Sequence, residues 1–146
     1  MGFAQTLTYD TSSAESIDHI SKWLSVCSSE HSCTSSQMTG KLPSRVLYVG
    51  RSEVAPSFIQ LFESQGTVAK YICLSHCWGI SNVATTTRAN FQAHKSGIRT
   101  STLSKTFRDA IQVTRRLGID YLWIDSLFIV QVFIRDVFLK ISSPRH

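Results

Sequence analysis

The sequence predicts an α/β protein built on an open sheet, mixed or mostly parallel, with flanking helices. An amphipathic segment at residues 104–117 leads directly into an apolar, β-prone segment at residues 119–124, and a second β-prone segment lies earlier, at residues 68–75. Two apolar strands separated by a helix are typical of parallel neighbours joined by a right-handed crossover. We therefore expect these two strands to be adjacent, parallel and central in the sheet.

The first half of the chain contributes shorter elements. Residues 1–16 are polar, and Ile17, Ile20 and Leu24 then recur at helical spacing, which predicts a first helix. Apolar runs and turn-forming residues assign the other segments. In chain order these are a loop at residues 28–41, strands at 45–50 and 58–62, a turn at 64–66, and a short helix at 88–95 closed by Gly97.

The helix at residues 104–117 is the best-defined element of the sequence. Its apolar residues recur every three or four positions and form one stripe, consisting of Leu103, Phe107, Ala110, Ile111, Thr114 and Leu117. Either Ser104 or Thr102 is suited to cap its first turn, and Gly118 is suited to the left-handed conformation at its end. The helix is therefore expected to dock on the sheet by one face.

Composition limits the classes of function. The chain has 146 residues and a net charge of +5, but its basic residues are scattered singly except for Arg115 and Arg116. Nucleic-acid binding is therefore not expected, and this pair is interpreted as a solvated helix end. The sequence has no apolar run that resembles a signal peptide or a membrane span, so we expect a cytoplasmic protein.

Several blocks occur in a characteristic order: LSHCWG at residues 74–79, TTTRAN at 85–90, Gly97-Ile98, and LSKTFRDAIQVTRRLGIDYLWIDSL at 103–127. Together they closely resemble the heterokaryon incompatibility (HET) domain of filamentous fungi. The resemblance covers residues 17–131, which leaves residues 1–16 as a flexible N-terminus and residues 132–146 as a tail outside the family. The family continues with an acidic "DW..E" block that this sequence lacks, so we expect a truncated domain with a fold incomplete at its C-terminus.

The resemblance implies an effector module of fungal non-self recognition and programmed cell death. Its expected partners are other HET-domain or regulator proteins, or further copies of the same chain. HET domains in turn resemble Toll/interleukin-1 receptor (TIR) domains, which implies a TIR- or flavodoxin-like sheet and an alternative function as an NAD glycohydrolase. A third alternative is an inactive fragment or decoy that assembles with full-length relatives.

The same resemblance implies little enzymatic activity for this chain. TIR-like enzymes use a glutamate on a later helix, which corresponds to the missing acidic block. We therefore expect no catalysis and no bound cofactor, with NAD as the candidate substrate or ligand.

Candidate site residues follow the two main strands, because ligands of open α/β sheets bind beyond the carboxyl ends of the strands. The expected ligand-lining residues are Ser75, His76, Trp78, Gly79, Arg108 and Asp125. The catalytic candidates are Asp125, Ser126 and Cys77. His76 and Cys77 are adjacent and should point to opposite sides, so we favour Cys77 as a small buried group over a nucleophile activated by His76.

Two further features leave alternatives open. Cys27, His31 and Cys33 offer three zinc donors, but their spacing matches no common zinc site, which favours packing beside Trp23. Arg108 is equally suited to bind a phosphate or carboxylate ligand, or to form a structural contact with Asp125 or a backbone carbonyl at the sheet edge.

Overall fold

A computed structural model of the chain describes residues 10, 12–30, 39–50, 57–77 and 84–128. Its helices are α1 (Ala14–Glu30), α2 (Phe91–Ser96), α3 (Lys105–Arg116) and α4 (Asp125–Phe128), with a 3₁₀ turn at Thr100–Thr102. Its strands are β1 (Gly40–Lys41), β2 (Arg45–Tyr48), β3 (Phe58–Glu63), β4 (Val68–Ala69), β5 (Tyr71–Leu74), β6 (Ile98–Arg99) and β7 (Tyr121–Ile124).

The main sheet has five described strands in the order β5-β7-β2-β3-β6. Strands β5 and β7 are parallel neighbours, as the sequence predicts, with Tyr71 opposite Tyr121 and Leu74 opposite Ile124. The other three pairs are antiparallel, so the sheet is mixed rather than mostly parallel. The prediction that both strands are central is wrong for β5, because β2 occupies the other side of β7 and leaves β5 at the end of the described order.

The predicted strand at residues 68–75 is divided in two. Its first part, β4, pairs antiparallel with β1 in a separate two-stranded sheet, with Val68 opposite Lys41. Its second part, β5, joins the main sheet, and Lys70 separates the two. Residues with high β-propensity lie on both sides of Lys70, so the sequence predicted one continuous strand. Propensity does not indicate which strand a segment pairs with.

The core lies between the main sheet and α3. Phe107 and Ile111 of α3 are almost completely buried against the sheet residues Leu47, Leu122 and Ile124. Of the α3 stripe predicted from sequence, Leu103, Phe107, Ile111 and Thr114 are buried, which confirms that the helix docks by one face. Helix α3 therefore packs on the same apolar core as the ends of β5 and β7.

Helix α3 begins and ends with side-chain and backbone caps. Of the two predicted capping residues, Ser104 is the one used, and its hydroxyl accepts a 3.3 Å hydrogen bond from the Phe107 amide. At the other end Gly118 has φ +70°, and its amide and that of Ile119 donate to the carbonyls of Arg115 and Thr114. This pair of bonds is the Schellman arrangement expected from a glycine at this position.

The first helix, α1, extends to Glu30, beyond the point where the sequence predicted a loop. Ile17 is its one buried residue, while Trp23, Leu24 and Val26 are exposed. None of the described helices is long and apolar enough to cross a membrane.

Candidate functional site

The parallel pairing of β5 and β7 brings the two sequence blocks to one edge of the sheet. Leu74 and Ile124 lie side by side as the last residues of their strands. Ser75 and His76 follow the first strand, and Asp125 and Ser126 follow the second. These four residues therefore leave the sheet at the same edge, and they are named here the strand-end cluster.

His76 and Asp125 make the main contact of the strand-end cluster. Nδ1 of His76 lies 3.3 Å from Oδ1 of Asp125, and the two side chains are 10% and 29% exposed. The same carboxylate oxygen accepts a 2.7 Å hydrogen bond from the Ser126 amide. That bond orients the carboxylate toward the imidazole ring, so a charged group faces a nearly buried titratable one.

Helix α3 holds the imidazole from the other side. The ring of Phe107 packs against the ring of His76 at 4.9 Å between centroids and at an angle of 86°. Edge-to-face contacts of this kind are favourable between aromatic rings. Since Phe107 is only 1% exposed, the position of His76 is set by the core as well as by Asp125.

Three polar atoms of the strand-end cluster are buried without a hydrogen bond among the described residues. They are Nδ1 and Nε2 of His76 and Oγ of Ser126. The 3.3 Å contact with Asp125 is close enough for electrostatic attraction, but its direction does not satisfy hydrogen-bond geometry. An unsatisfied buried polar group costs about 1–3 kcal/mol, which proteins tolerate mainly at functional sites.

The residues beside His76 alternate as the chain leaves β5. Ser75 and Cys77 are exposed, whereas His76 points inward, in agreement with the prediction that His76 and Cys77 face opposite sides. The prediction that Cys77 is buried is wrong, because the inward position in this extended segment belongs to its neighbour. Trp78 and Gly79 lie outside the described residues.

Arg108 does not reach Asp125 or the edge of the sheet. Its Nη1 donates a 3.2 Å hydrogen bond to the carbonyl of Leu103, just before its own helix. The adjacent Asp109 instead pairs with Lys105 at 2.6 Å, one helical turn away. Arg108 therefore contacts a backbone carbonyl, which is one of the partners expected for it. That carbonyl lies just before α3 and not at the edge of the sheet.

The three candidate zinc donors are not brought together in the described part of the chain. Cys27 is half-buried on α1, while His31 and Cys33 lie outside the described residues. No group of three or more His, Cys, Asp or Glu side chains suited to a metal occurs among the residues that the structure describes. Trp23 is 59% exposed and contacts the ring of His19, so it offers little burial to its neighbours.

The TTTRAN block, in which sequence analysis named no site residue, builds a second polar cluster. The Asn90 side chain accepts from the Thr87 amide at 2.7 Å and donates to the Thr85 carbonyl at 3.0 Å. Thr86 is buried, and its hydroxyl lies 3.0 Å from Nδ1 of His94. Burial lowers the pKa of His94. This cluster could have been predicted from the sequence, because Thr and Asn side chains form hydrogen bonds with the nearby backbone in turns.

Residues 71–140 match the model of a family described as Heterokaryon incompatibility protein (HET). The matched range includes β5, α3 and β7, and hence all four residues of the strand-end cluster. No curated protein and no solved structure matches the chain. The domain bounds predicted from sequence, 17–131, stay a prediction.

Proposed function

We propose that this chain, whose residues 71–140 match the heterokaryon incompatibility (HET) family, is an effector module of fungal non-self recognition and programmed cell death. The observation that supports a working site in it is the contact of His76 with Asp125 at 3.3 Å. Both residues lie within the matched range. We propose that the effector acts through the strand-end cluster.

The position of the strand-end cluster supports this proposal. In open α/β sheets, ligands bind beyond the carboxyl ends of parallel strands. Strands β5 and β7 are the one parallel pair of the described sheet, and the cluster lies at their carboxyl ends. The buried polar side-chain atoms that have no hydrogen bond among the described residues are concentrated at the same place, which is the property expected of a site that works on a ligand or on a partner protein.

Inducible expression in a filamentous fungus tests the proposal. Cell death, measured by uptake of a membrane-impermeant dye, is expected for the wild type and absent for Asp125→Asn. Asp109→Asn is a matched control, because it makes the same chemical change in an exposed pair on α3. The proposal requires the control to kill at equal protein level. Equal killing by all three chains, or killing by none, would contradict it.

A second candidate function is hydrolysis of the nicotinamide bond of NAD. A carboxylate beside a nearly buried imidazole favours it, since this arrangement is used in general acid–base catalysis. If the chain is an effector without enzymatic activity, the purified chain should consume no NAD. Consumption above a heat-killed sample, lost in Asp125→Asn and kept in Asp109→Asn, would instead establish the enzyme.

We further propose that the chain works in the cytoplasm with other HET-domain or regulator proteins, or with copies of itself. The alternative is an inactive fragment or decoy that assembles with full-length relatives. Expression together with a full-length HET-domain protein separates the two. An effector is expected to increase cell death when both chains are present, whereas a decoy is expected to co-purify with its relative and to reduce cell death.

A further inference from the structure

The two end strands of the main sheet differ in how they are protected. In the order of the described strands, β5-β7-β2-β3-β6, the ends are β5 and β6. Proteins protect a sheet edge from pairing with other chains by keeping the edge strand short or by placing charges on it. Strand β6 has two residues and carries Arg99, whereas β5 has four residues, Tyr71–Leu74, without charge or proline. The outer side of β5 is therefore an unprotected edge, and it is named here the β5 edge.

A groove with mostly apolar walls accompanies the β5 edge. It has a volume of about 370 Å³ and lies between β5 and α3, with Ile72 and Leu74 on one side and Ala110 and Val113 on the other. Cys73, between the two β5 residues, is exposed. Successive residues of a strand point to opposite faces of the sheet. A further strand that alternates as β5 does would therefore place its apolar side chains on the side of the groove.

We propose that the β5 edge pairs antiparallel with β5 of a second copy of the chain, across a two-fold axis that passes through Cys73 perpendicular to the sheet. This inference rests on the association of copies included in the proposed function and names its surface. Opposite residues share a face of the sheet, so a residue on the axis lies opposite itself. With Cys73 on the axis, Ile72 of each copy lies opposite Leu74 of the other, and the apolar side of the sheet continues between copies. With Ile72 on the axis, Lys70 would instead lie opposite Leu74.

A second copy suits the β5 edge because the resulting assembly is closed. The two-fold axis makes each β5 edge the partner of the other, so one contact covers both unprotected edges. The joined sheet then ends in two copies of β6, which are short and charged. Of the described residues that line the groove, only Asp109 is charged, and it is paired with Lys105 at 2.6 Å. The apolar side chains of the second copy therefore meet no unpaired charge there.

Thiol cross-linking of the full chain tests the position of the axis. The sequence has four cysteines, so one chain is made to retain only Cys73 and another only Cys77, with Ser at the other three positions. Directly opposite residues have Cβ atoms about 5 Å apart. The two copies of Cys77 would lie eight residues apart along the strand direction, or roughly 26 Å. A short bismaleimide should therefore join two chains through Cys73 and not through Cys77, although both thiols are exposed. No dimer through Cys73, or equal amounts through both, would overturn the inference.

Sedimentation velocity of the full chain measures the assembly directly. The wild type is expected to change from monomer to dimer as its concentration rises. Cys73→Lys should raise the concentration needed for dimerisation at least about tenfold, because it places two ammonium groups opposite each other on the axis. Cys77→Lys makes the same change at an exposed position away from the axis and should dimerise as the wild type does. A wild type that stays monomeric or forms open-ended aggregates, or equal dimerisation of all three chains, would overturn the inference.

Failure of this inference is distinguishable from failure of the proposed function. A wild type that kills cells without dimerising would retain the effector and overturn the pairing of the β5 edges. A wild type that dimerises through Cys73 but kills no cells would retain the pairing and contradict the effector. Thermal unfolding shows whether Cys73→Lys keeps the fold. Cross-linking decides independently of that variant, because the cross-linked chain retains Cys73.

Discussion

Arg115 of α3 donates a 2.8 Å hydrogen bond from Nε to the carbonyl oxygen of Val49, just beyond the end of β2. Its Nη2 also donates to the carbonyl of Phe58, the first residue of β3, at 3.1 Å. One guanidinium group thus connects the end of the helix to two antiparallel strands. Burial lowers the pKa of Arg115. Because its guanidinium group is bound to two carbonyls of the sheet, the interpretation of this residue as part of a solvated helix end is wrong. Arg116, its neighbour, donates to the carbonyl of Ser12 on the exposed surface.

Replacing Arg115 by Met should lower the free energy of unfolding by about 1–2 kcal/mol. The substitution keeps the aliphatic part of the side chain and removes its charged hydrogen bonds. Partial exposure to water reduces the contribution of these bonds to the free energy of unfolding. Urea unfolding measures the change. Arg116→Met is the matched control and should cost less than about 0.5 kcal/mol, as for an exposed surface contact. Equal losses for the two variants would show that the contacts with Val49 and Phe58 contribute nothing specific.

Replacing Ser104 by Ala should lower the free energy of unfolding by about 1 kcal/mol, since it leaves the Phe107 amide without its cap. Thr102→Ala is the comparison, because its hydroxyl donates to the Arg99 carbonyl on the exposed surface and does not cap α3. Chemical denaturation of both variants measures the difference. A larger loss for Thr102→Ala would contradict the assignment of Ser104 as the cap.

Acidification should destabilise the fold through His94. Burial lowers the pKa of His94 in the folded chain, whereas the unfolded chain has the ordinary value of about 6.5. As the pH falls through that value, the unfolded state binds a proton before the folded state does, so the free energy of unfolding decreases. The free energy of unfolding stops decreasing through His94 once the pH is below the pKa of His94 in the folded chain. Unfolding curves at pH 7.5 and at successively lower pH should show a smaller loss for His94→Gln than for the wild type.

His19→Gln serves as the control for this pH dependence, since it removes an imidazole from α1 and leaves the contact between His94 and Thr86 intact. It should retain the contribution of His94, so acidification should destabilise it more than it destabilises His94→Gln. A loss on acidification that is as large in His94→Gln as in the wild type would rule out His94 as its source.

Local patterns in the sequence predicted α3 and its surroundings well. The apolar stripe, the cap at Ser104 and the glycine at 118 each act within a few residues, so each is readable without knowledge of the tertiary structure. The parallel pairing of β5 with β7 was also predictable, because a helix between two apolar strands has few alternative topologies. This pairing is also what brought His76 near Asp125.

Long-range pairing explains what the sequence did not predict. The pairing of β2 with β7 and the pairing of β4 with β1 both depend on contacts between segments that are distant in the sequence. The contact of Arg115 with Val49 joins residues 66 positions apart. Neither hydrophobic periodicity nor propensity contains information at that range. The ring contact of His76 with Phe107 likewise depends on how α3 docks on the sheet.

Replacing Gly118 by Ala should lower the free energy of unfolding by about 1 kcal/mol, through backbone conformation alone. Gly118 has φ +70°, but an added Cβ would meet no atom within 4 Å. The expected loss is therefore the cost of a left-handed conformation for an L-residue. Asn should cost less than Ala, because Asn tolerates this region better.

Gly40→Ala is the matched control for this prediction. An added Cβ at Gly40 would also meet nothing within 4 Å, and φ of Gly40 is not positive. This variant should therefore leave the free energy of unfolding unchanged or raise it slightly, since Ala restricts the unfolded chain more than Gly does. Urea unfolding of Gly118→Ala, Gly118→Asn and Gly40→Ala measures the three values. Equal effects at the two positions would show that the Schellman turn after α3 does not require glycine.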